Sequence, residues 1–519
     1  MEKYNRGSFK SGRFETSVCD RQWSIELSGD HVLPDYLPEI KRILRVGARC
    51  DLPSSYISGD RAEISGAIHY DLLYAGNDGE LYTACLDDDY KFEAPFDRDS
   101  DADMSEGVTL LADIFLDGVV GRATGPRKLS VKCRMKPRVR CYAPLELEEK
   151  IDGLEDEASL RRLIASGEYA KVIRGREESI PLADEVIPDG SIEDIRVIGA
   201  TGRVFVTEAS ATRDAVICRG EAVIKLMICH DGGGEGSVII RKIPFSREIA
   251  CDGAVGGNEC RAWGEMGEMT VTVGEGRIGC EAVMTLEYEL QRSESFEYTR
   301  DIYSTAAPCE VIMAEHSMPC AIRCMNGNFT QNGVFDQKEN GITVGSVIVD
   351  ADGVAICDKA SIEKGRGVLS GEVRYNILFA DEGEWGSREL TQPFRYEFDL
   401  PLAVDREIEP MWSACTCLVG CRARLDGERI AIDSEISAAI RLFCNEVIAA
   451  VGEVRMGEGE PARRGECRIC YPDSDDTLWS VAKRYRTDAE RMATVNSLRI
   501  DGSPDSADSL TGVRFVIVG

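Results

Sequence analysis

One phrase occurs three times in this chain, and it limits what the chain can fold into. The first copy is Ile64-Ser65-Gly66-Ala67-Ile68-His69-Tyr70-Asp71-Leu72-Leu73-Tyr74. The second is Ile217-Cys218-Arg219-Gly220-Glu221-Ala222-Val223-Ile224-Lys225-Leu226-Met227-Ile228, and the third is Leu369-Ser370-Gly371-Glu372-Val373-Arg374-Tyr375-Asn376-Ile377-Leu378-Phe379. Their glycines lie 154 and 151 residues apart. At two, four, six and eight residues past each glycine the side chain is apolar, and polar residues such as His69, Lys225 and Asn376 fall between. Period-two alternation with β-branched and aromatic residues predicts a half-buried strand. A Gly- or Asp-rich turn follows each copy, then a second strand carrying Tyr90-Lys91-Phe92, Ile243-Pro244-Phe245 or Phe394-Arg395-Tyr396. Each copy therefore predicts a hairpin.

A second long strand pair closes each copy. Its last strands begin near Leu129, Ile278 and Ile430, at offsets of 149 and 152 residues. Two markers in one register predict three related β-units, each a two-layer sandwich. Residues 1–30 lack periodicity and are expected to be loosely ordered. Leu154 to Lys171, with Leu160, Ile164 and Tyr169, is expected to form a helical connector. Trp263-Gly264-Glu265-Met266-Gly267-Glu268 reads as a turn. Met456 to Pro461 is polar and Gly/Pro-bearing and reads as a linker.

The end of the chain has a different period. Asp475-Asp476-Thr477-Leu478-Trp479-Ser480-Val481-Ala482-Lys483-Arg484-Tyr485 puts Leu478, Val481, Ala482 and Tyr485 on one helical face. Asp475 or Asp476 is expected to cap it. Thr487 and Glu490 have capping-box spacing for a second helix that carries Met492, Ala493 and Val495. Strand-like Arg468 to Tyr471 precedes the pair, and Val513 to Val518 follows it. The expected fold class is therefore mainly β: three tandem β-sandwich-like repeats and a small C-terminal α+β (βααβ) domain.

That C-terminal stretch resembles a LysM domain, most closely in Asp476 to Tyr485 with Val495-Asn496 ten residues later. Asp475 stands where LysM domains usually have Gly. Ser509-Leu510-Thr511-Gly512 stands in for their Pro-Gly turn, after an Asp- and Ser-rich insertion from Asp501 to Asp508. Three long acidic β-units followed by one LysM unit resemble the SPOCS-repeat and LysM proteins of endospore-forming bacteria, the SipL-like spore-coat morphogenetic family. The resemblance divides the chain into SPOCS-like repeats at 1–150, 173–305 and 306–455, the connector at 151–172, the linker at 456–466 and LysM at 467–519.

The resemblance implies a non-enzymatic coat-assembly scaffold whose LysM domain docks onto a SpoIVA-like coat basement protein. It places the chain in the mother-cell cytoplasm, at the forespore surface. The implied site is the LysM groove: Ser474, Asp475, Asp476, Thr477, Leu478, Asn496, Ser497 and Leu498. In a protein interface these would supply helix-end hydrogen bonds and a small apolar contact, with the Asp side chains favouring a basic partner patch. The alternative the motif implies is a reader of peptidoglycan or another GlcNAc-containing glycan, with Trp479 either stacking on sugar or packing on the small sheet.

Charge and residue counts narrow the classes. With 61 Lys and Arg against 91 Asp and Glu, the net charge is −30. A surface so acidic repels nucleic acid and anionic membranes. No stretch of 18 apolar residues predicts a transmembrane helix, and the first residues have no signal-peptide core. Twenty cysteines fall mostly in apolar strand patterns (Cys133, Cys218, Cys280, Cys444), as small buried hydrophobes. Three groups have some metal-like spacing: Cys320 with Cys324, Cys415 with Cys417 and Cys421, and Cys467 with Cys470. None has the second close pair a structural zinc site wants, so no metal and no cofactor is expected. His31, His69, His230 and His316 are the only histidines, and none stands in a nucleophile–base pattern. No enzyme is expected.

Overall fold

A computed structural model describes residues 6–96, 103–104, 106–153, 157–188, 195–230, 236–274, 276–343, 345–401, 410–458, 468–498 and 510–518. It is mainly β. The first unit holds β1 (Arg6–Gln22), β2 (Ile25–Val32), β3 (Ile40–Cys50), β4 (Ser54–Ser58), β5 (Arg61–Gly76), β6 (Leu81–Pro95), β7 (Thr109–Gly125) and β8 (Lys128–Asp152). The second holds β9 (Leu160–Val186), β10 (Ile195–Thr212), β11 (Ala215–His230), β12 (Gly236–Ala250), β13 (Glu259–Gly274) and β14 (Arg277–Ser304). The third holds β15 (Cys309–Asp336), β16 (Val347–Glu363), β17 (Arg366–Asp381), β18 (Glu384–Asp399), β19 (Met411–Asp426) and β20 (Arg429–Met456).

The strands that carry the thrice-written phrase are β5, β11 and β17. Each is 16 residues long, and each begins five residues before its glycine. In the second and third units one sheet runs β10-β11-β12 or β16-β17-β18, and the other runs β13-β14-β9 or β19-β20-β15. The first unit follows the same plan. Its opening strand is split into β1 and β2, which both pair with β8, and its next strand is split into β3 and β4, which both pair with β5. Alternating apolar residues from the two sheets of a unit meet in one core. In the second unit, Val204, Val216 and Ala222 meet Ala262, Met284 and Leu286.

The glycines of the phrase have a steric cause. At Gly220 and Gly371 an added Cβ would come within 2.0 Å of the carbonyl oxygen of Phe205 and of Ile356. The ladder slips by a residue there, between Val206 and Glu208 and between Cys357 and Lys359. Only a residue without Cβ lets the bulged neighbour approach so closely. At Gly66, where the neighbouring strand is broken, the close atoms belong instead to the Tyr90 ring.

The units are not separate beads. The end of β8 pairs in parallel with β20, Lys150 with Glu453 and Ile151 with Val454, so strands of the first and third units share a seven-stranded sheet. Two apolar clusters draw on all three units. Leu44, Leu73, Ile198, Met227, Leu378 and Trp385 form one. Phe14, Leu147, Tyr169, Phe296, Met318 and Ile448 form another.

Three expectations are corrected. Residues 160–186 are strand β9 and not a helical connector, with one 3-10 turn at Glu157–Ser159. They pair with β14 from Leu160 opposite Ser304 to Val186 opposite Ile278, and this long ladder overrides a weak helical spacing. Residues 6–22 are ordered as β1 against β8, because the unit's closing strand needs a partner on that edge. Trp263 to Glu268 lies inside β13, with a bulge between Met266 and Met269, rather than in a turn. Most of the expected linker, residues 459–466, lies outside the described residues, as do Asp231 to Gly234, Asp501 to Asp508 and Cys467.

At the C-terminus β21 (Arg468–Cys470) pairs antiparallel with β22 (Val516–Val518), and α1 (Leu478–Tyr485) and α2 (Ala489–Val495) lie between them. No helix among the described residues is long and apolar enough to cross a membrane.

Candidate functional site

In the C-terminal unit, Leu478, Val481 and Ala482 of α1 and Met492 and Ala493 of α2 are buried with Cys470, Val516 and Val518. The cap of α1 is Thr477, not Asp475 or Asp476. Its hydroxyl accepts from the Ser480 N–H at 3.0 Å, and the Ser480 hydroxyl accepts from the Thr477 N–H at 2.9 Å. The cap of α2 is Asp488, not Thr487, and it accepts from the Arg491 N–H at 3.0 Å. In both cases the capping residue is the one that immediately precedes the first helical residue in extended backbone.

The eight expected groove residues divide in two. Asp476 is buried. Its carboxylate accepts from the Asp473 N–H at 3.0 Å, from the Ser480 hydroxyl at 3.1 Å and from Arg484 Nη2 at 2.6 Å. Those bonds, the Asp473 N–H first, hold its carboxyl below the ordinary range. Asn496 ties the end of α2 to β22: its amide nitrogen donates to the carbonyls of Met492 and Ile517, and its oxygen accepts from the Ile517 N–H at 2.7 Å. Leu478 is in the core and Leu498 packs against it. These four hold the unit together. Ser474, Asp475 and Ser497 are exposed and Thr477 is half-buried, so they present the open surface of the two loops.

Trp479 packs against the core of the C-terminal unit, which holds Cys470, Val516 and Val518 of the small sheet, and it also reaches across to the second unit. Its ring packs edge-on against Tyr303 at the end of β14, with centroids 4.8 Å apart, and its N–H donates to Asp301 at 2.8 Å. Lys483 also reaches Asp301, at 2.5 Å, Tyr303 donates to the Thr487 carbonyl at 2.7 Å, and Arg161 pairs with Asp488 at 2.6 Å. One side of the C-terminal unit is thus seated on the second unit. Sequence reasoning missed Arg161, Asp301 and Tyr303, which lie more than 170 residues upstream of their partners with no local signal.

Besides their apolar clusters, the junctions between units carry ion pairs. In the third unit Asp350 takes Arg45 of the first at 2.8 Å and Lys225 of the second at 2.6 Å, and Asp352 takes Arg203 of the second at 2.7 Å. Burial opposes the Asp352 charge, but Arg203, Lys225 and Arg45 outweigh it and hold the carboxyl far below its ordinary range. Beside Arg203 and Lys225, a cavity of about 270 Å³ opens at the seam of the second and third units. The guanidiniums of Arg174 and Arg261 both lie over the Trp263 ring, each 5.0 Å from its centroid.

Every described cysteine is a free thiol. Burial pushes the thiols of Cys133, Cys218 and Cys415 up to about 12, so these are inert apolar groups. Of the three spaced cysteine groups, none joins a set with metal-ligand geometry among the described residues. His69, Cys85 and Asp87 do come within 4.8 Å of one another on β5 and β6. His69 is held there by Asp87 at 2.5 Å and Asp51 at 3.0 Å. Burial works against its charge, but these two carboxylates outweigh it and raise its pKa.

Comparisons with protein-family models, with curated proteins and with solved structures found no match to this chain.

Proposed function

We propose that this protein is a non-enzymatic assembly scaffold of the SPOCS-repeat and LysM kind. In this reading the three β-units are copies of one SPOCS-like repeat, and the C-terminal βααβ unit is a LysM domain that docks onto a SpoIVA-like coat basement protein on the mother-cell side of the forespore. The observation that carries it is the shared register of β5, β11 and β17, followed by a βααβ unit seated on the body with Ser474, Asp475 and Ser497 outward. Exposed acid at the loop suits a basic partner patch. Trp479 is engaged by Tyr303 and Asp301, so the C-terminal unit has one aromatic ring fewer to offer a sugar.

The test is binding of the full chain, side by side, to the same organism's SpoIVA-like protein and to GlcNAc oligomers. The variants are Asp475→Lys and Ser497→Lys, which put positive charge on the exposed loops and, among the side-chain bonds of the unit's described residues, remove only the one from the Ser474 hydroxyl to Asp475. Protein binding weakened at least tenfold by either variant, with no glycan binding, supports the proposal. Micromolar glycan binding without protein binding overturns it in favour of a wall-glycan reader.

A further inference from the structure

Eleven residues beyond Leu129, Ile278 and Ile430, the closing strands of the three units carry Arg140, Glu289 and Arg441. All three are fully buried. One acid therefore shares this level with two bases, and its oxygens are taken. Glu289 Oε2 accepts from Arg261 Nε at 3.0 Å and Nη2 at 2.7 Å, and Oε1 accepts from Arg140 Nη2 at 3.3 Å. Asp113 meets Arg140 at 2.7 Å and Arg174 at 2.9 Å, and Glu287 meets Arg174 at 3.0 Å.

Arg441 is left over. Its Nε, Nη1 and Nη2 are all buried, and none has a hydrogen-bond partner among the described residues. Nε and Nη1 of Arg140 are in the same condition. The Arg441 guanidinium lies over the Phe443 ring at 4.5 Å, with Tyr142 at 5.9 Å, and ring faces offer its three nitrogens no conventional hydrogen bond. A guanidinium does not give up its proton in a protein, and an uncompensated buried charge is strongly unfavourable. The local count is five guanidiniums (Arg138, Arg140, Arg174, Arg261, Arg441) against four carboxylates (Asp20, Asp113, Glu287, Glu289), an excess of one. Burial, Glu287 and Asp51 push the Glu265 carboxyl up to about 8, so it is mainly protonated at neutral pH.

We propose that Arg441 and Arg140 hold one small monovalent inorganic anion, of halide type, at the centre where the three units meet. A water molecule would accept hydrogen bonds but leave the excess charge. A dianion such as sulfate would overshoot an excess of one and is harder to dehydrate. The bound ion would act as a fastener between the first and third units, stabilising the folded chain by mass action. This inference is independent of the role of the C-terminal unit.

Two measurements on the full chain test it. In crystals grown with sodium bromide, diffraction at the bromine edge should show an anomalous peak in hydrogen-bond contact with the guanidiniums of Arg441 and Arg140. In solution, the melting temperature should rise with the logarithm of bromide or chloride concentration at constant ionic strength, with gluconate as the balancing anion. Arg441→Met should flatten that dependence. Water alone at that position in a crystal with bromide bound elsewhere, or a wild-type melting temperature indifferent to halide, overturns the proposal. So does an unchanged halide dependence in Arg441→Met. Should that variant fail to fold, the wild-type crystal decides.

Discussion

The indole N–H of Trp479 donates to the Asp301 carboxylate at 2.8 Å, and this bond joins the C-terminal unit to a strand end 178 residues away. Lys483 shares the same carboxylate, so Asp301 pins two successive turns of α1. The contact orients the C-terminal unit and leaves its loop surface outward.

Removing that pin should free the unit without unfolding it. Asp301→Ala strands an indole N–H and an ammonium, a loss of about 1–3 kcal/mol of docking energy. Small-angle scattering should show a larger radius of gyration for the variant, and hydrogen exchange in α1 should quicken. An unchanged scattering curve and unchanged exchange would show that the seat does not depend on Asp301.

Asp476→Lys and Asn496→Ala should act on folding rather than on a binding surface. Each removes several internal hydrogen bonds, including Arg484 to Asp476 and both backbone ties of Asn496 to Ile517. We expect the C-terminal unit to lose about 1–3 kcal/mol in either variant. Asp475→Lys should leave stability within about 0.5 kcal/mol, since its side chain is exposed. Hydrogen exchange of the α1 and α2 amides as denaturant is raised separates the two classes. Equal stability for Asp475→Lys and Asp476→Lys would refute the assignment.

Glu265 makes the chain sensitive to alkali. Its folded pKa is raised from 4.5 to about 8, so the folded state binds this proton more tightly than the unfolded state. The associated stability is full below about pH 4.5 and is lost as pH rises through about 8. Glu265→Gln cannot ionise, so its stability should fall less between pH 6 and pH 9 than that of the wild type. The difference should be on the order of 2–4 kcal/mol. Parallel stability–pH curves for the two proteins would contradict this.

Arg261 should be among the residues least tolerant of change in the body. It binds both Glu289 and the Ser413 and Ala439 carbonyls of the third unit, at 2.9 Å and 3.0 Å. Arg261→Met leaves a buried carboxylate short of its main partner, at about 3–5 kcal/mol. Adding Glu289→Gln should lose less than the sum of the two single changes, and a double-mutant cycle measures that coupling. Strict additivity would mean that the two side chains do not act as a pair.

Gly220→Ala and Gly371→Ala should each destabilise by about 1–3 kcal/mol or more, because the new methyl group meets a backbone carbonyl at 2.0 Å and not a side chain that can turn aside. Gly79→Ala, at a turn with open space, should lose about 1 kcal/mol from its positive φ alone. Thermal melts of the three variants give the order.

The mainly β class, the three matching strands and the two short helices were legible because they rest on local periodicity. The 16-residue strands β5, β11 and β17 fall where the alternation placed them, and the face of Leu478, Val481 and Ala482 is buried as its spacing required. Segments whose partner is remote in sequence were misread. Residues 160–171 carry a weak helical spacing, and only β14 on one edge makes them strand. The candidate groove was half legible: Ser474, Asp475 and Ser497 lie at the surface, but Asp476 and Asn496 are polar residues that turn inward to satisfy buried backbone groups. Composition alone does not tell an inward Asp from an outward one.

The sequence by itself therefore determined the period of each element, and with it which face of a strand or helix is apolar. Only the tertiary structure decided which elements meet. It brought Arg140, Glu289 and Arg441 to one level, joined β8 to β20, and seated Trp479 on Tyr303. The physical reason is range. Side-chain alternation is written in neighbouring residues, whereas charge pairing and sheet edges are satisfied by whichever group the fold delivers, here from about 150 to 300 residues away along the chain.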